Sequence, residues 1–314
     1  MKQILLHSNL DANESAIFGR ELEHVKSRTA DIKYPELKIA NGLIIPISRE
    51  AGDADETISY KSFDQAGVAK IISNYADDLP AADVAGTEHV STIKSIGSSF
   101  SYNIQEVRAA AKTGRSLPQA RATAARRAIM QKIESIGFSG DTASGLKGLI
   151  NHPNIQEYTV SADGNENGGI NSTRFAHKTA EQILRDLNGI ATQVSTITKG
   201  VESPDTLLLD LSNWNLLTTL RIPDTQISVL KWFLENSPHI KNVDWLNQLT
   251  DADNNNEVAI MYRRDSSKLT LEIPKEYEQM TPQQINLAFK VPAHARIGGV
   301  IVYYPLSIIK AAGV

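Results

Sequence analysis

Cysteine is absent from all 314 residues. The chain therefore holds no disulfide, no thiolate zinc site and no cysteine nucleophile, which fits a protein made in a reducing cytoplasm. No apolar run approaches the ~20 residues needed to span a bilayer. The opening MKQILLHSNLDANES lacks the apolar core and cleavage site of a signal peptide, so a soluble, intracellularly made chain with no membrane partner is expected. Internal repeats and low-complexity tracts are missing as well. Charge of one sign is not in excess: 32 Lys and Arg against 36 Asp and Glu leave a net −4. Charge alone thus gives no reason to expect a nucleic-acid or membrane-surface binder.

The common catalytic and ligand-binding motifs are missing too. The seven histidines (7, 24, 89, 152, 177, 239 and 294) form no H-x3-H pair and no HExxH, and no G-x-S-x-G elbow occurs. Gly140 and Gly145 have the spacing of a phosphate-binding loop, but Leu146 and Lys147 follow where Lys and Ser or Thr are required. The loop also leaves a helix C-terminus, the wrong dipole end for phosphate. Asp163, Asn165, Asn167 and Gly168 match the first half of a calcium loop, yet Arg174 stands where the bidentate glutamate belongs. Asp251, Asp253 and Asn255 lack both the glycine and the glutamate. No catalytic, cofactor-binding or metal-ligating residue is expected, and no cofactor. The chain is not expected to be an enzyme.

What is present centres on residues 101–154. Asn103 and Glu106 resemble a capping box that opens a helix to about Lys112, stopping at Gly114. Ser116 and Gln119 form a second box, with Pro118 in the first turn of a long helix. Ala122, Ala125, Ile129, Ile133 and Ile136 then follow a 3–4 spacing and share one apolar stripe. Arg127, Gln131 and Glu134 fall on the opposite side. Gly137 is expected to end the helix, and Gly140, Gly145 and Gly148 follow closely. Between Val107 and Ile133 lie seven cations (Arg108, Lys112, Arg115, Arg121, Arg126, Arg127 and Lys132) and no acid. A polyanion-facing surface and a solvated helix flank both fit, and the spread of the cations around the helix favours the flank.

Elsewhere the pattern mixes strand and helix. Ile17, Phe18, Leu22 and Val25 make one amphipathic patch near the N-terminus. LIIPIS, ETISYKSF and VAKIIS, between Leu43 and Ser73, read as β-rich runs, with Pro46 marking an edge strand and GDADE an acidic, solvated tip. A projecting hairpin of this size is marginal alone in water. HVSTIKSIGSSF (His89–Phe100) reads as one strand. Thr179 and Gln182 cap a helix with Ile183, Leu184, Leu187, Ile190 and Val194 on its buried face. A strand over Thr206–Leu211, a short helix from Ser212, a helix over Thr225–Glu235 and a strand near Ile240–Val243 follow. VAIMY and LTLEI are expected to form a hairpin around RRDSSK. RIGGVIVYYP reads as the last strand and LSIIKAAGV as a short tail. The class is α+β, and the irregular alternation argues against a Rossmann fold or TIM barrel.

The helix ending in GFSGD, followed by GLKGLINHPN, resembles the end of the spine helix in major capsid proteins of tailed bacteriophages, the Hong Kong 97 type fold. Gly140, Asp141, Gly145, Leu146, Gly148 and Leu149 match the family's glycine-rich loop. The resemblance implies an N-terminal arm over 1–40 and an extended E-loop over 41–78. It implies a P-domain over 79–150 and 281–314 with the spine helix at 117–136, and an A-domain over 151–280. It also implies function: a virion subunit that self-assembles as hexamers and pentamers into an icosahedral shell around double-stranded DNA, contacted non-specifically. Assembly in the host bacterial cytoplasm follows, with scaffolding, portal and decoration proteins as further partners. No covalent cross-link is expected, because the Lys–Asn positions of cross-linking members have no match here. An encapsulin-type nanocompartment with a cargo enzyme shares the fold and is the alternative. A soluble hydrolase with a site of scattered carboxylates and histidines is the alternative of a different class.

Overall fold

The computed structural model describes residues 34–66, 83–113, 117–253 and 256–314. The expected amphipathic patch at Ile17–Val25, the VAKIIS strand, Gly114 and the Ser116 half of the second capping box lie outside the described residues. The chain divides into a unit Met1–Glu36 and a unit Leu37–Val314, and the elements below belong to the second. Its described helices are α1 (Ile104–Thr113), α2 (Leu117–Ser139), α3 (Ala180–Ile197), α4 (Leu211–Thr219) and α5 (Val229–Asn236). Its strands are β1 (Ile47–Ser48), β2 (Thr57–Ala66), β3 (Asp83–Thr92), β4 (Lys94–Asn103), β5 (Gln156–Tyr158), β6 (Thr206–Leu209), β7 (Asn242–Trp245), β8 (Val258–Tyr262), β9 (Leu269–Glu272), β10 (Lys275–Gln279), β11 (Gln283–Ile285), β12 (Ala288–Ile297), β13 (Gly299–Val302) and β14 (Ile308–Ala312).

A five-stranded mixed sheet of order β5-β14-β8-β6-β7 separates two cores. Side chains of a strand alternate between faces, and here both faces are covered, so β6 and β8 are buried throughout. Leu208, Ile260 and Ile308 face a core shared with Ile129, Ile133 and Ile136 of α2. Leu207, Leu209, Ala259, Met261, Ile309 and Ala311 face a second core with Ile183, Leu187, Ile190 and Val194 of α3. The capping box expected at Thr179 and Gln182 opens α3, and its five predicted apolar positions are all buried.

A second sheet has the order β1-β9-β13. In the third, β12 pairs antiparallel with β4 over ten residues, while β10 and β11 share its other edge. Helix α2 packs on β4 and β12, and Val291, Ala293, Ala295 and Ile297 alternate inward along β12. Strands β2 and β3 form a separate two-stranded antiparallel ribbon.

Several expectations need correction. VAIMY and LTLEI do not pair with each other: β8 lies between β14 and β6, whereas β9 lies between β1 and β13. Residues 263–268 carry the chain from one sheet to another. The supposed tail is β14, an interior strand of the five-stranded sheet, paired on both edges. Strands β9 and β10 thus pair with β13 and β12, and β14 pairs with β5 and β8. HVSTIKSIGSSF is two strands that meet at Ile93, because β3 pairs with β2 whereas β4 pairs with β12. The return strand of the ribbon is β3. Asp210 caps α4, which ends the preceding strand at Leu209. Ser228 caps α5, so that helix starts later than Thr225. Strand β7 is displaced two residues from Ile240–Val243.

Candidate functional site

Helix α2 buries Ala125, Ile129, Ile133 and Ile136 and half-buries Ala122, as the 3–4 spacing predicts. It does not end at Gly137. That residue sits inside the helix because a Cβ there would lie 2.5 Å from Ile39 Cγ2. The helix ends at Gly140, whose φ of +70° favours glycine. The last carbonyls are then taken up by the returning loop: Leu149 N donates to Gly137 O at 2.9 Å and Ile150 N to Phe138 O at 3.0 Å. Asp141 and Leu146 exchange two backbone bonds of 2.9 and 3.0 Å. A Cβ on Gly148 would lie 2.3 Å from Gly140 N and 2.5 Å from Phe138 O. The motif is thus the chemistry of a tight reversal that caps its own helix, with the amides of Asp141, Gly145, Leu146, Leu149 and Ile150 bonded to main-chain carbonyls and that of Gly148 to the Asn151 side chain.

Two further segments meet this loop. Val300 N donates to Lys147 O at 2.8 Å, and a Cβ on Gly299 (φ +75°) would lie 2.8 Å from the same carbonyl. Thr92 Oγ1, at the end of β3, lies 3.5 Å from Ser144 O. The root of the β2–β3 ribbon closes with Ile93 N donating to Glu56 O at 2.8 Å. Ser91 Oγ donates to Gly298 O at 3.0 Å, and Tyr60 stacks on His89 (centroids 4.8 Å) and edge-on to Tyr303 (5.0 Å). Burial raises the Tyr60 hydroxyl above its ordinary pKa, with a smaller contribution from Tyr303. The end of α2, the ribbon root and the β12–β13 bend are therefore one junction.

One face of the ribbon leaves apolar side chains uncovered at its root and further out, with the Lys61 and Glu88 pair between them. Register places Ser59 opposite Val90 and Phe63 opposite Gly86, so Phe63 and Val90 share a face, 66% and 60% exposed. The GDADE turn is solvent-exposed, as expected, but it is not the ribbon's tip. It sits at the root, where Arg296 and Lys275 hold it.

Two cations of the basic segment, Arg121 and Arg126, find partners within the chain. The box at Asn103 and Glu106 forms, Glu106 Oε2 accepting from Asn103 N at 3.1 Å. Arg121 donates to both Glu106 oxygens (2.8 and 3.0 Å) and to Ser101 O (2.7 Å). That guanidinium holds the Glu106 carboxyl down to about 2. Arg126 lies over the Tyr277 ring at 5.7 Å, and Arg108 and Lys132 face outward. The side chains of Lys112 and Arg115 lie outside the described residues.

Sequence reasoning missed two buried ionic features. Glu134, expected on the polar side, is 3% exposed. Its carboxylate accepts from Ala40 N at 2.7 Å, and burial raises its pKa. Lys178 is buried with Asp186 at 2.5 Å and donates to Ser161 O at 2.6 Å, while Arg185 binds Asp163 at 2.6 Å and Asp186 at 2.8 Å. The half calcium motif at Asp163 is thus a carboxylate held low by Arg185 and, less, by Lys178. No group of three or more acids and histidines suited to a metal occurs among the described residues. No helix of the described residues is long and apolar enough to cross a membrane. No periodicity announces Glu134 or Lys178, because their partners are backbone groups or residues brought near by folding.

The architecture is that of proteins that build shells. Over 100% of both chains it superposes on the capsid of Myoviridae phage XM1 with a TM-score of 0.79 at 16% identity. The capsid of an empty GTA particle gives 0.67 at 9% identity over 96% of this chain and 99% of the other. Gordonia phage Cozz gives 0.62 at 11% identity over 99% and 98%. No curated protein matches the sequence. Residues 67–314 match the family model described as major capsid protein, and the chain belongs to that family. It is a shell-forming subunit of the phage capsid type, with the fold expected from its spine-helix motif, and the family's role is structural.

Proposed function

We propose that this subunit assembles as hexamers and pentamers into an icosahedral shell that encloses double-stranded DNA. The observation that carries the reading is the β2–β3 ribbon. A two-stranded ribbon is marginal in water, yet this one presents Phe63 and Val90 to solvent. Burying such side chains contributes roughly 1.5–3 kcal/mol each, and a neighbouring subunit supplies the cover. Repeated over a shell, individually modest contacts sum by multivalency to a stable container. The N-terminal arm, expected over 1–40, reaches a neighbour through the residues ahead of Leu37, because Ile39 and Ala40 are buried in the subunit's own core. The α2 helix with the β4–β12 sheet forms the peripheral domain, and the five-stranded sheet with α3 to α5 the axial one. DNA is contacted without sequence preference, and scaffolding, portal and decoration proteins join in the host bacterial cytoplasm. Electron microscopy of the purified chain, alone and coexpressed with its genomic neighbours, tests the proposal. Closed particles with sixfold and fivefold clusters support it. A chain that stays monomeric under every condition contradicts it.

A further inference from the structure

The ribbon stands out from the body on few attachments, so the direction in which it leaves matters. At ~3.3 Å per residue a ten-residue strand reaches about 30 Å, and a rotation of about 5° at the root moves its far end by about 3 Å. What sets that direction is the segment entering β2. Gly52 N donates to Asp55 Oδ2 at 2.7 Å, which closes the turn on itself. Arg296, on β12, donates Nη2 to Asp55 O at 2.7 Å and Nη1 to Asp53 O. Lys275, Arg296's register partner on β10, donates Nζ to Asp53 Oδ2 at 2.6 Å. Lys275 is itself backed by Glu278 at 3.2 Å, and the Asp53 and Glu278 carboxylates raise its pKa.

We propose that Arg296 and Lys275 form a clasp on residues 53–55 that fixes the angle at which the ribbon leaves the body, and that they are positioning residues for shell assembly. An exposed ion pair taken alone is weak and screened by salt. This one differs in geometry. The planar guanidinium spans two main-chain carbonyls two residues apart, which defines an orientation and not merely a distance. The lysine adds a third point on the Asp53 side chain. The other root contacts, Ser91 with Gly298, Ile93 with Glu56 and Tyr60 with Tyr303, hold the paired strands and their first residue, whereas the clasp holds the segment that leads into them. The assembly part of the inference rests on the ribbon being an inter-subunit element.

The test is hydrogen exchange on the whole unassembled subunit, paired with particle imaging. Lys275→Asp is expected to speed exchange of the root amides of Gly52, Asp55 and Ile93 by about tenfold, with α3 amides unchanged, and to give misshapen or open particles. The swap Asp53→Lys with Lys275→Asp restores the attraction and is expected to recover both readouts. Unchanged exchange in Lys275→Asp and Arg296→Lys overturns the clasp. Faster exchange in Lys275→Asp, reversed by the swap, with normal particles throughout upholds the clasp and overturns the ribbon's part in assembly.

Discussion

Glu134 on the spine helix accepts a 2.7 Å hydrogen bond from the backbone N–H of Ala40. The same carboxylate is approached by the amides of Ile39 and Lys38 and by Gln248. A carboxylate buried among backbone donors anchors the start of the Leu37–Val314 unit to its longest helix. Lys38 continues the anchor through Asp244 at 2.5 Å and the Trp245 ring at 3.9 Å.

Removing that acceptor has a calculable sign. Glu134→Ala strands a buried N–H at Ala40 and costs about 1–3 kcal/mol. Glu134→Gln keeps an acceptor and costs less. The native carboxyl has a folded pKa above its ordinary 4.5, raised mainly by burial. Its titration therefore contributes stability that is full below that value and is lost as pH rises through the folded pKa. Melting curves of native chain and Glu134→Gln should show the native chain losing ground to the variant as pH rises.

The Glu106–Arg121 pair has the opposite sign. Its folded pKa lies near 2, chiefly through the Arg121 hydrogen bonds. Its contribution is present above about 4.5 and is lost as pH falls toward 2. In Glu106→Gln the acid limb of the stability curve should flatten, and acid titration of the melting midpoint in the two proteins checks it.

The glycine loop offers a paired comparison. Gly148→Ala drives a Cβ into Gly140 N and Phe138 O, and is expected to cost about 3 kcal/mol or more. Gly145 has φ +72° but nothing within 4 Å of its Cβ position, so Gly145→Ala pays only the left-handed backbone term, about 1–2 kcal/mol. Denaturant midpoints of the two variants separate the causes.

This contrast shows what was legible in advance. The spacing of Ala125, Ile129, Ile133 and Ile136 announced the buried stripe, and Thr179 with Gln182 announced the start of α3, because both signals are local. Gly137 misled for a tertiary reason: it is glycine to admit Ile39, not to end the helix. Glu134 misled likewise, since a buried carboxylate needs amides nearly a hundred residues away in sequence. The β8–β9 pairing failed because adjacency in sequence says nothing about which of two sheets a fully apolar strand joins. The clasp of Arg296 and Lys275 carried no signal, as its partners on residues 53–55 are main-chain carbonyls and one exposed aspartate.

The buried pair Lys178–Asp186 makes a further prediction. Lys178→Met leaves Asp186 buried with Arg185 as its remaining cation. Breaking a buried pair costs about 3–5 kcal/mol, and the arginine keeps the loss toward the lower end. Chemical denaturation measures it, with Arg185→Met in the Lys178→Met background expected to exceed the sum of the single changes.

The central claim is that the β2–β3 ribbon is an assembly element and not part of the folding core. Register brings Ser59 opposite Val90, so replacing residues 60–89 with a short glycine-serine turn preserves the root bond from Ile93 to Glu56. The most direct measurement is electron microscopy of this variant beside the native chain, each coexpressed with its genomic neighbours, with melting curves as the folding control. The expected result is a folded subunit with a nearly unchanged midpoint that forms no closed shells. Closed shells of native diameter from the shortened chain would contradict it.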